Sequence, residues 1–228
     1  MESAVNQFGA EVGPSPGVPG VGEIAGSATP PTAVQEDSRL GERNLNPAGM
    51  SLMSLWREDL ATHEGDLFSQ GFWALAVHRF GNWRMDFRRR WVRMPFSLIY
   101  KVLYKFVEWT CGISLDYATQ VGRRVHLWHH SGMILSCKSI GDDVHIRQNT
   151  TFGVTRRGDP VSARPVIEDR CDIGVGAVIV GAITIGHDSV IGANAVVLSS
   201  VPPHSVAVGV PAKVVKTATV SGGAEERK

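Results

Sequence analysis

Histidines are concentrated in one short stretch of the chain and could carry acid–base or metal chemistry. His126, His129 and His130 flank Trp128, and His145 follows further along. An imidazole titrates near neutral pH, so it can take a proton from a reacting hydroxyl group. Three imidazoles can alternatively bind zinc. The stretch therefore predicts either a general base or a set of metal ligands.

A segment rich in glycine, proline and arginine follows the histidines, between Phe152 and Ile167. This composition is typical of an external loop, and loops that leave a rigid scaffold often carry functional residues. Arg164 within the segment could stabilise a developing oxyanion or bind an acidic acceptor, and it could equally be an exposed loop arginine.

The histidines and the loop lie within a six-residue repeat that runs from about residue 115 to residue 201. A large apolar residue recurs at thirteen positions, and a small or β-branched residue follows most of them four places later. This period fits neither an α-helix nor a single strand, and it is typical of short strands wound into a parallel β-helix. The thirteen positions are Leu115, Val121, Leu127, Met133, Ile140, Ile146, Phe152, Ile167, Ile173, Ile179, Ile185, Ile191 and Val197.

Composition and charge narrow the possible classes of protein. A net charge of +1 provides no overall field for binding nucleic acid, and no apolar run is long enough to span a bilayer. Three irregularly spaced cysteines argue against a disulfide framework and suit a reducing compartment. Because the N-terminus also lacks the layout of a signal peptide, we expect a soluble cytoplasmic protein without a nucleic-acid partner.

Four segments are predicted along the chain. Residues 1–48 are rich in Gly, Pro, Ala and Ser and are expected to be a disordered extension, with Met50 as an alternative natural start. Residues 49–112 have helical periodicity and residues 113–215 contain the β-helix. Residues 216–228 are expected to form a flexible tail.

Three helices are expected in the second segment. The first opens near Leu52 with Ser51 or Ser54 as its cap, and the second contains the apolar face from Phe72 to Trp83. The third runs from Pro95 to Trp109 and is expected to bury its apolar residues, which are Leu98, Ile99, Val102, Leu103, Phe106 and Val107.

An arginine run separates the second and third helical patterns. It consists of Arg88, Arg89, Arg90 and Arg93. We interpret the run as a solvated connector, and contact with the phosphates of a cofactor or with an anionic membrane surface is the alternative.

Two sets of residues make the chain similar to a known family. The repeat resembles that of the hexapeptide-repeat acyltransferases, whose fold is a left-handed parallel β-helix. The helical segment, with Arg57-Glu58-Asp59, Gly71-Phe72-Trp73-Ala74-Leu75 and His78-Arg79, resembles the N-terminal domain of the serine acetyltransferases. The resemblance covers about residues 52–215 and implies a mainly β fold behind a small α-helical domain. It also implies an acetyl-CoA-dependent O-acetyltransferase that acts on L-serine in cysteine biosynthesis.

The same resemblance implies roles for individual residues. His129 stands in the place of the family's catalytic histidine and would take the proton of the acceptor hydroxyl, with His130 as the second candidate. The family's orienting aspartate is replaced by Ser114, which leaves Asp116 as the nearest carboxylate for that role. Arg164 would act on the acceptor or the oxyanion from the loop.

Further departures from the family concern the acceptor. The aspartate before the catalytic histidine is Trp128, and an Arg-His pair is replaced by Ala163-Arg164. Because these positions hold serine in the family, we expect serine to be a poor acceptor that Trp128→Asp improves. A sugar hydroxyl, as in the acetylation of exopolysaccharides, is the alternative acceptor. A metal-dependent hydratase, with zinc on three of the histidines, is a remote alternative.

Coenzyme A is expected to lie along corners of the coil that lack large side chains. The resemblance assigns this role to Gly174, Val175, Gly192 and Ala193, and it assigns Lys213 to a phosphate of the nucleotide. Cys171 falls on the small-residue phase of the repeat, so it is expected to be inert packing. Acetyl transfer would therefore be direct, without an acyl-enzyme, and no metal is expected.

The expected partner is a second and third copy of the same chain. A β-helix has flat faces, and burying one face against neighbours would complete the site, so we predict a homotrimer or a multiple of trimers. The last residues, Glu225-Glu226-Arg227-Lys228, lack the isoleucine that binds cysteine synthase in the family. A complex with that enzyme is therefore not expected.

Overall fold

The computed structural model describes residues 43–156 and 158–217, and most of the predicted extension and tail falls outside these residues. In the described residues, three α-helices come first: α1 (Leu52–Thr62), α2 (Gln70–Trp83) and α3 (Arg90–Cys111). Ser51 caps α1 by accepting a hydrogen bond from the Ser54 backbone N–H. Within the described ranges, no helix has both the length and the apolar character needed to cross a membrane.

Residues 43–48 already belong to the packed part of the chain. Leu45 is buried, and its backbone N–H donates to Asn82 Oδ1 at 2.9 Å. The side chain of Asn46 donates to the backbone carbonyl of Arg79 at 2.9 Å. Residues 43–48 therefore pack with the helical segment, because they find hydrogen-bond partners on α2.

Between α3 and residue 217, the last one described, fifteen short strands form three sheets. Sheet A contains β1 (Ile113–Ser114), β4 (Met133–Leu135), β7 (Thr151–Gly153), β10 (Val178–Val180) and β13 (Val196–Val197). Sheet B contains β2 (Gln120–Val121), β5 (Ser139–Ile140), β8 (Val166–Ile167) and β11 (Thr184–Ile185). Sheet C contains β3 (His126–Trp128), β6 (His145–Arg147), β9 (Asp172–Ile173), β12 (Val190–Ile191), β14 (Ser205–Gly209) and β15 (Ala212–Thr217).

Each strand up to β9 pairs in parallel with the strand three places later in the sequence, so three strands make one coil. The chain passes from sheet A to B, from B to C, and from C back to A, and we name the corners between them the A–B, B–C and C–A edges. All thirteen repeat residues point inward, with exposed fractions of 3% or less. The predicted fold class, a parallel β-helix behind a small helical domain, is confirmed.

Helix α3 differs from the prediction in extent and in orientation. It begins at Arg90, so part of the arginine run belongs to the helix and is not a connector. The helix packs on α2 and β1 through the face that carries Tyr100, Val107 and Cys111. The prediction that its other apolar residues are buried is wrong, since they lie outside this contact and are exposed: Leu98, Ile99, Val102, Leu103 and Phe106.

Buried polar contacts fasten α2 to the first coil. Arg79 donates to the carbonyl oxygens of Val121 at 2.7 Å and Gly122 at 2.6 Å, and it pairs with Asp59 of α1 at 3.1 Å. Burial lowers the pKa of His78 to about 3, so its neutral ring donates to the Thr119 carbonyl at 2.9 Å. Because the buried Arg79 guanidinium is paired and each of its nitrogens donates a hydrogen bond, its contacts fix the helices relative to the coil.

Candidate active site

His129 lies where the chain leaves β3 at the C–A edge. Its backbone has φ of +62°, and Ser131 and Gly132 also have positive φ, at +87° and +68°. A left-handed conformation is unfavourable for a residue with a Cβ, and it recurs at the other corners of this coil, for example at Asn149 and Asn194. The imidazole is exposed, and no side chain in residues 43–156 or 158–217 hydrogen-bonds to it. Its nitrogens are therefore accessible to a ligand.

The C–A edge is a continuous column of corners above His129. The N–H of Asn149 donates to the Ser131 carbonyl at 3.1 Å, that of Gly176 to Gln148 at 3.0 Å, and that of Asn194 to Val175 at 2.8 Å. The corners that begin at Gly174 and Gly192 thus lie on the same edge as His129. At the top, Lys213 is exposed and pairs with Val208 in the adjacent strand. The structure therefore brings the predicted base and the predicted coenzyme A residues onto one edge.

Close contact with the next coil explains why position 174 is a glycine. It is buried, and a Cβ at this position would lie 2.6 Å from the Ala193 nitrogen and 2.7 Å from the Gly192 carbonyl carbon. A side chain would therefore collide with the next coil. Gly174 is needed for coil stacking, whereas Val175, Gly192 and Ala193 present surface along the edge.

Asp116 and Arg164 lie on a different edge from His129. Asp116 is in the turn from β1 to β2, where its Oδ1 accepts from the Ala118 N–H at 3.3 Å, and Arg164 ends the loop from β7 to β8. Both positions belong to the A–B edge. The Nη1 atom of Arg164 is buried and has no hydrogen-bond partner among the described residues. One chain therefore does not bring the three predicted catalytic residues together.

A pocket of about 270 Å³ lies between His129 and the turn from α1 to α2. Its lining includes Glu64 and Asp66 from that turn and Trp128 from β3. Both carboxylates are exposed to solvent at the rim. Sequence reasoning missed these acids, although the signal was present as a His-Glu-Gly-Asp sequence between two predicted helices, in the interval between the two sets of helical residues that carried the family resemblance.

The side chain of Trp128 is held in a stack of aromatic rings on the outside of sheet C. Its ring lies 3.8 Å from that of His126 with an interplanar angle of 5°, and its N–H donates to His145 Nδ1 at 2.9 Å. Burial, with smaller contributions from His63 and His145, lowers the pKa of His126 to about 4. The ring of His126 is thus neutral at physiological pH and does not compete with His129 for protons.

His63 supports this stack from the helical domain. Its Nδ1 donates to the Asp59 carbonyl at 2.7 Å, and its Nε2 accepts from the Leu127 N–H at 3.3 Å. Burial lowers the pKa of His63, which keeps the ring in this neutral form. The residue ties the turn that carries Glu64 and Asp66 to the strand that precedes His129.

The buried thiols are unsuited to nucleophilic catalysis. Burial raises the pKa of Cys171 to about 12, and it raises the pKa of Cys137 to about 12 as well. A thiolate is the reactive form of cysteine, so these side chains are inert at neutral pH. The interpretation of Cys171 as packing agrees with its exposed fraction of 0%.

The four histidines of the zinc alternative do not form a ligand set within the described part of one chain. The side chains in these residues that could surround a metal ion are His187, Asp188 and His204, with ligand atoms within 4.8 Å of one another. Arg170 donates to both carboxylate oxygens of Asp188 at 2.7 Å. The guanidinium of Arg170 therefore neutralises the carboxylate that a metal ion would need as a ligand.

Comparisons of the sequence and of the fold with known proteins find serine acetyltransferases. No family model matches the chain. The serine acetyltransferase of Salmonella typhimurium is 36% identical over 152 residues, which are 65% of this chain and 52% of the relative. That of Helicobacter pylori is 36% identical over 121 residues, which are 53% of this chain and 70% of the relative. The chain thus spans about half the length of the first relative and more than two thirds of the second.

Solved structures show the same similarity in three dimensions. Soybean serine acetyltransferase complexed with serine superimposes with a TM-score of 0.61 and 26% sequence identity. The match covers 78% of this chain and 84% of the soybean structure. It is therefore too extensive to come from the β-helix alone, because residues 113–217 are less than half of the chain.

Proposed function

The chain belongs to the serine acetyltransferase family, and from that premise we propose that it transfers an acetyl group from acetyl-CoA to the hydroxyl of L-serine. The observation that carries the proposal is the C–A edge, where an exposed histidine continues into a column of small residues that ends at Lys213. An extended thioester ligand can lie along such a column with its phosphates near the lysine. Its acetyl group would then reach His129.

In this mechanism His129 takes the proton of the acceptor hydroxyl as its oxygen attacks the thioester carbonyl. The C–S bond breaks, an ester C–O bond forms, and the imidazolium returns the proton to the departing thiolate. A base with a pKa near neutral pH is suited to this transfer. His129 is exposed to the adjacent pocket, whereas the ring of His126 is stacked on Trp128 and burial lowers its pKa.

The pocket beside His129 suits a small acceptor with a positive charge. Glu64 and Asp66 lie at its rim and would bind the serine ammonium, which compensates for the absence of an aspartate at Trp128. Leaving an ammonium unpaired in a pocket is costly, so one such carboxylate is required. Trp128 offers little to a sugar, since one face of its ring is covered and its N–H is already bonded. Serine is therefore the acceptor that we propose.

We further propose that the active enzyme is a trimer in which the A–B edge of one copy faces the C–A edge of the next. This arrangement would bring Arg164 and Asp116 to His129. It would also give the buried Nη1 of Arg164 a partner, in the carboxylate of serine or in the oxyanion. The separation of the predicted catalytic residues onto two edges is what supports a shared site.

Acceptor choice is tested by following acetyl-CoA consumption with serine, homoserine and nucleotide-linked sugars. We expect saturable turnover with serine, and a slower reaction with homoserine because its hydroxyl is displaced by one methylene. Turnover with a sugar but not with serine would contradict the proposal. Improvement of serine turnover by Trp128→Asp, with Trp128→Asn as the uncharged control, stays a prediction.

The shared site is tested by mixing two inactive variants. His129→Ala and Arg164→Ala chains would be unfolded, mixed and refolded together. If each site takes one residue from each of two copies, about a quarter of the sites in random trimers regain both residues. Recovery of activity by the mixture, and not by either variant refolded alone, supports the shared site. Absence of recovery in trimers shown by mass to be mixed would place both residues in one chain.

A further inference from the structure

Helix α3 carries a second apolar face that no described part of the chain covers. Its members are large and strongly exposed, with 67% of Leu98 and 60% of Phe106 accessible to solvent. Soluble proteins seldom leave so large a contiguous apolar surface uncovered unless it binds something. The uncovered residues are Trp91, Met94, Leu98, Ile99, Val102, Leu103, Phe106 and Trp109.

The angular arrangement of α3 separates this face from the one that packs on the protein. At about 100° per residue, Tyr100, Val107 and Cys111 cluster on one side of the helix. Seven of the eight uncovered residues fall within the arc from Leu98 to Leu103, about 140° on roughly the opposite side, and Met94 lies about 40° beyond Leu98. A helix with two apolar faces has one for the core and one for a ligand or partner.

A cleft extends the uncovered face toward the other helices. It has a volume of about 580 Å³ and lies between α1, α2 and α3. Ile99, Leu103 and Phe106 belong both to the cleft and to the uncovered face, while Trp73 and Phe80 line its far side. The apolar surface is therefore broader than the helix alone and has room for an inserted hydrocarbon chain.

Positive charge accompanies this surface. Residues 88–111 contain six arginines and lysines and one acid, Glu108, which pairs with Lys105. Arg88, Arg89 and Arg90 are exposed, and Lys101 and Lys105 lie along one flank of the apolar arc. Packing a second copy of this face against the first would bring like charges together, which is unfavourable. An occupant that has both negative charge and apolar groups is complementary to this surface.

We propose that α3 binds an anionic lipid membrane, with its axis in the plane of the interface and its uncovered face in the acyl region. Trp91 and Trp109 are both exposed and lie eighteen residues apart on the same angular position, about 27 Å along the axis. Tryptophan prefers the boundary between headgroups and hydrocarbon, so the two indoles anchor both ends of the helix. A basic amphipathic helix of this kind lies on a membrane and does not span it.

The proposal is tested by flotation of the full chain with two kinds of vesicle. One is pure phosphatidylcholine, and the other contains one third phosphatidylglycerol. We expect the protein to float with the anionic vesicles, to remain unbound with neutral ones, and to be released as salt increases. Arg88→Ser/Arg89→Ser/Arg90→Ser should weaken partitioning by about a hundredfold. Equal binding to neutral vesicles would overturn the proposal.

A matched pair of variants isolates the apolar face. Leu98→Asp should reduce partitioning at least tenfold, whereas Val215→Asp introduces the same charge at an apolar residue of similar exposure, 63%, on β15. Unchanged binding by Leu98→Asp, or an equal loss with Val215→Asp, would overturn the proposal. Both side chains are exposed, so circular dichroism should show folded proteins in each case.

Sedimentation without lipid decides between a membrane and a second copy of the chain. We expect Leu98→Asp to leave the mass of the assembly unchanged. A smaller assembly in this variant would show that the face is a subunit interface and would overturn membrane binding. The measurement does not depend on acyl transfer, so it stands whether or not the proposed enzymatic activity is correct.

Discussion

The B–C and C–A edges of the coil share the left-handed backbone conformation but differ in the side chains at their corners. The B–C edge has a left-handed residue at each corner, Arg124, Asp143, Arg170, Asp188 and His204, with φ between +53° and +56°. The C–A edge has left-handed residues at the same heights, among them Asn149 at +60°, Gly176 at +70° and Asn194 at +56°. The geometry of the corners is thus nearly the same, and the difference lies in the side chains.

The side chains of the B–C edge neutralise one another. Arg124 donates to both oxygens of Asp143 at 2.6 Å, and Arg170 does the same to Asp188 at 2.7 Å. On the C–A edge the chain instead has small or uncharged residues and the imidazole of His129, which has no hydrogen-bond partner within residues 43–156 and 158–217. Because a functional group must be free to bind a ligand, the unsatisfied edge is the one we assign to chemistry, and the satisfied edge is assigned to the scaffold.

The largest effect is expected from the free imidazole of the C–A edge. His129→Ala should lower turnover by about 10²–10⁴, since the variant lacks the general base that we propose, while coenzyme A still binds. Steady-state kinetics and calorimetric titration with coenzyme A measure the two properties separately. His130→Ala is the control on the same corner and should change turnover much less. The opposite ranking would transfer the role of base to His130.

A smaller effect is expected at the rim of the adjacent pocket. Asp66→Asn should raise KM for serine by roughly ten- to a hundredfold, the value of a lost charge-assisted hydrogen bond, with a smaller change in kcat. The KM for acetyl-CoA should be unaffected, because the carboxylate is remote from the column of small residues. Equal changes in both KM values would contradict an acceptor-specific role.

The interior of the coil and the arrangement of its edges were predictable to different degrees. Ile173 and Ile179 follow the six-residue period, and packing requires large apolar residues there, so the sequence determines their burial. Assigning Asp116 and His129 to edges requires the number of residues in one coil. Three strands make one coil of about eighteen residues, so only residues about eighteen apart share an edge. That count separates Asp116 from His129 and was available from the sequence.

Other features depended on contacts that no local pattern encodes. The apolar period of α3 predicts that Leu98 and Val107 are both buried, but only the packing on α2 decides which of them faces the core. Asp66 is a polar residue in a turn, and its proximity to His129 follows from the Arg79 and His78 contacts that fasten α2 to the coil. Such long-range contacts are set by tertiary structure and not by spacing.

A third prediction tests whether the two edges share one scaffold. Gly174→Ala on the C–A edge should destabilise the fold by about 1–3 kcal/mol, because its Cβ would lie 2.6 Å from a backbone nitrogen of the next coil. Gly141→Ala on the B–C edge should cost a similar amount, since its Cβ would lie 2.6 Å from the Asp169 nitrogen. Gly153→Ala is the control, with no atom within 4 Å of its Cβ. Thermal unfolding of all three measures the difference, and a stable Gly174→Ala would show that the coils can separate.

The smallest effect is expected when the B–C edge is made to resemble the C–A edge. Asp188→Asn keeps a residue that tolerates the left-handed conformation, so it removes the charge without straining the corner. The B–C edge would then have an asparagine at position 188, in the same coil as Asn194 on the C–A edge. Because surface ion pairs contribute little, Tm should fall by no more than about 4 °C at neutral pH, and serine turnover should stay unchanged.

The pH dependence of this small change identifies its cause. Hydrogen bonds from Arg170, then from His187, hold the pKa of Asp188 well below its usual range. A carboxyl with a depressed pKa in the folded state contributes stability above its unfolded pKa of about 4, and that contribution is lost as the pH falls toward the folded value. The Tm difference between wild type and Asp188→Asn should therefore be constant near pH 7 and shrink below about pH 4. A difference that persists in acid would mean that packing, and not charge, distinguishes the scaffold edge from the catalytic one.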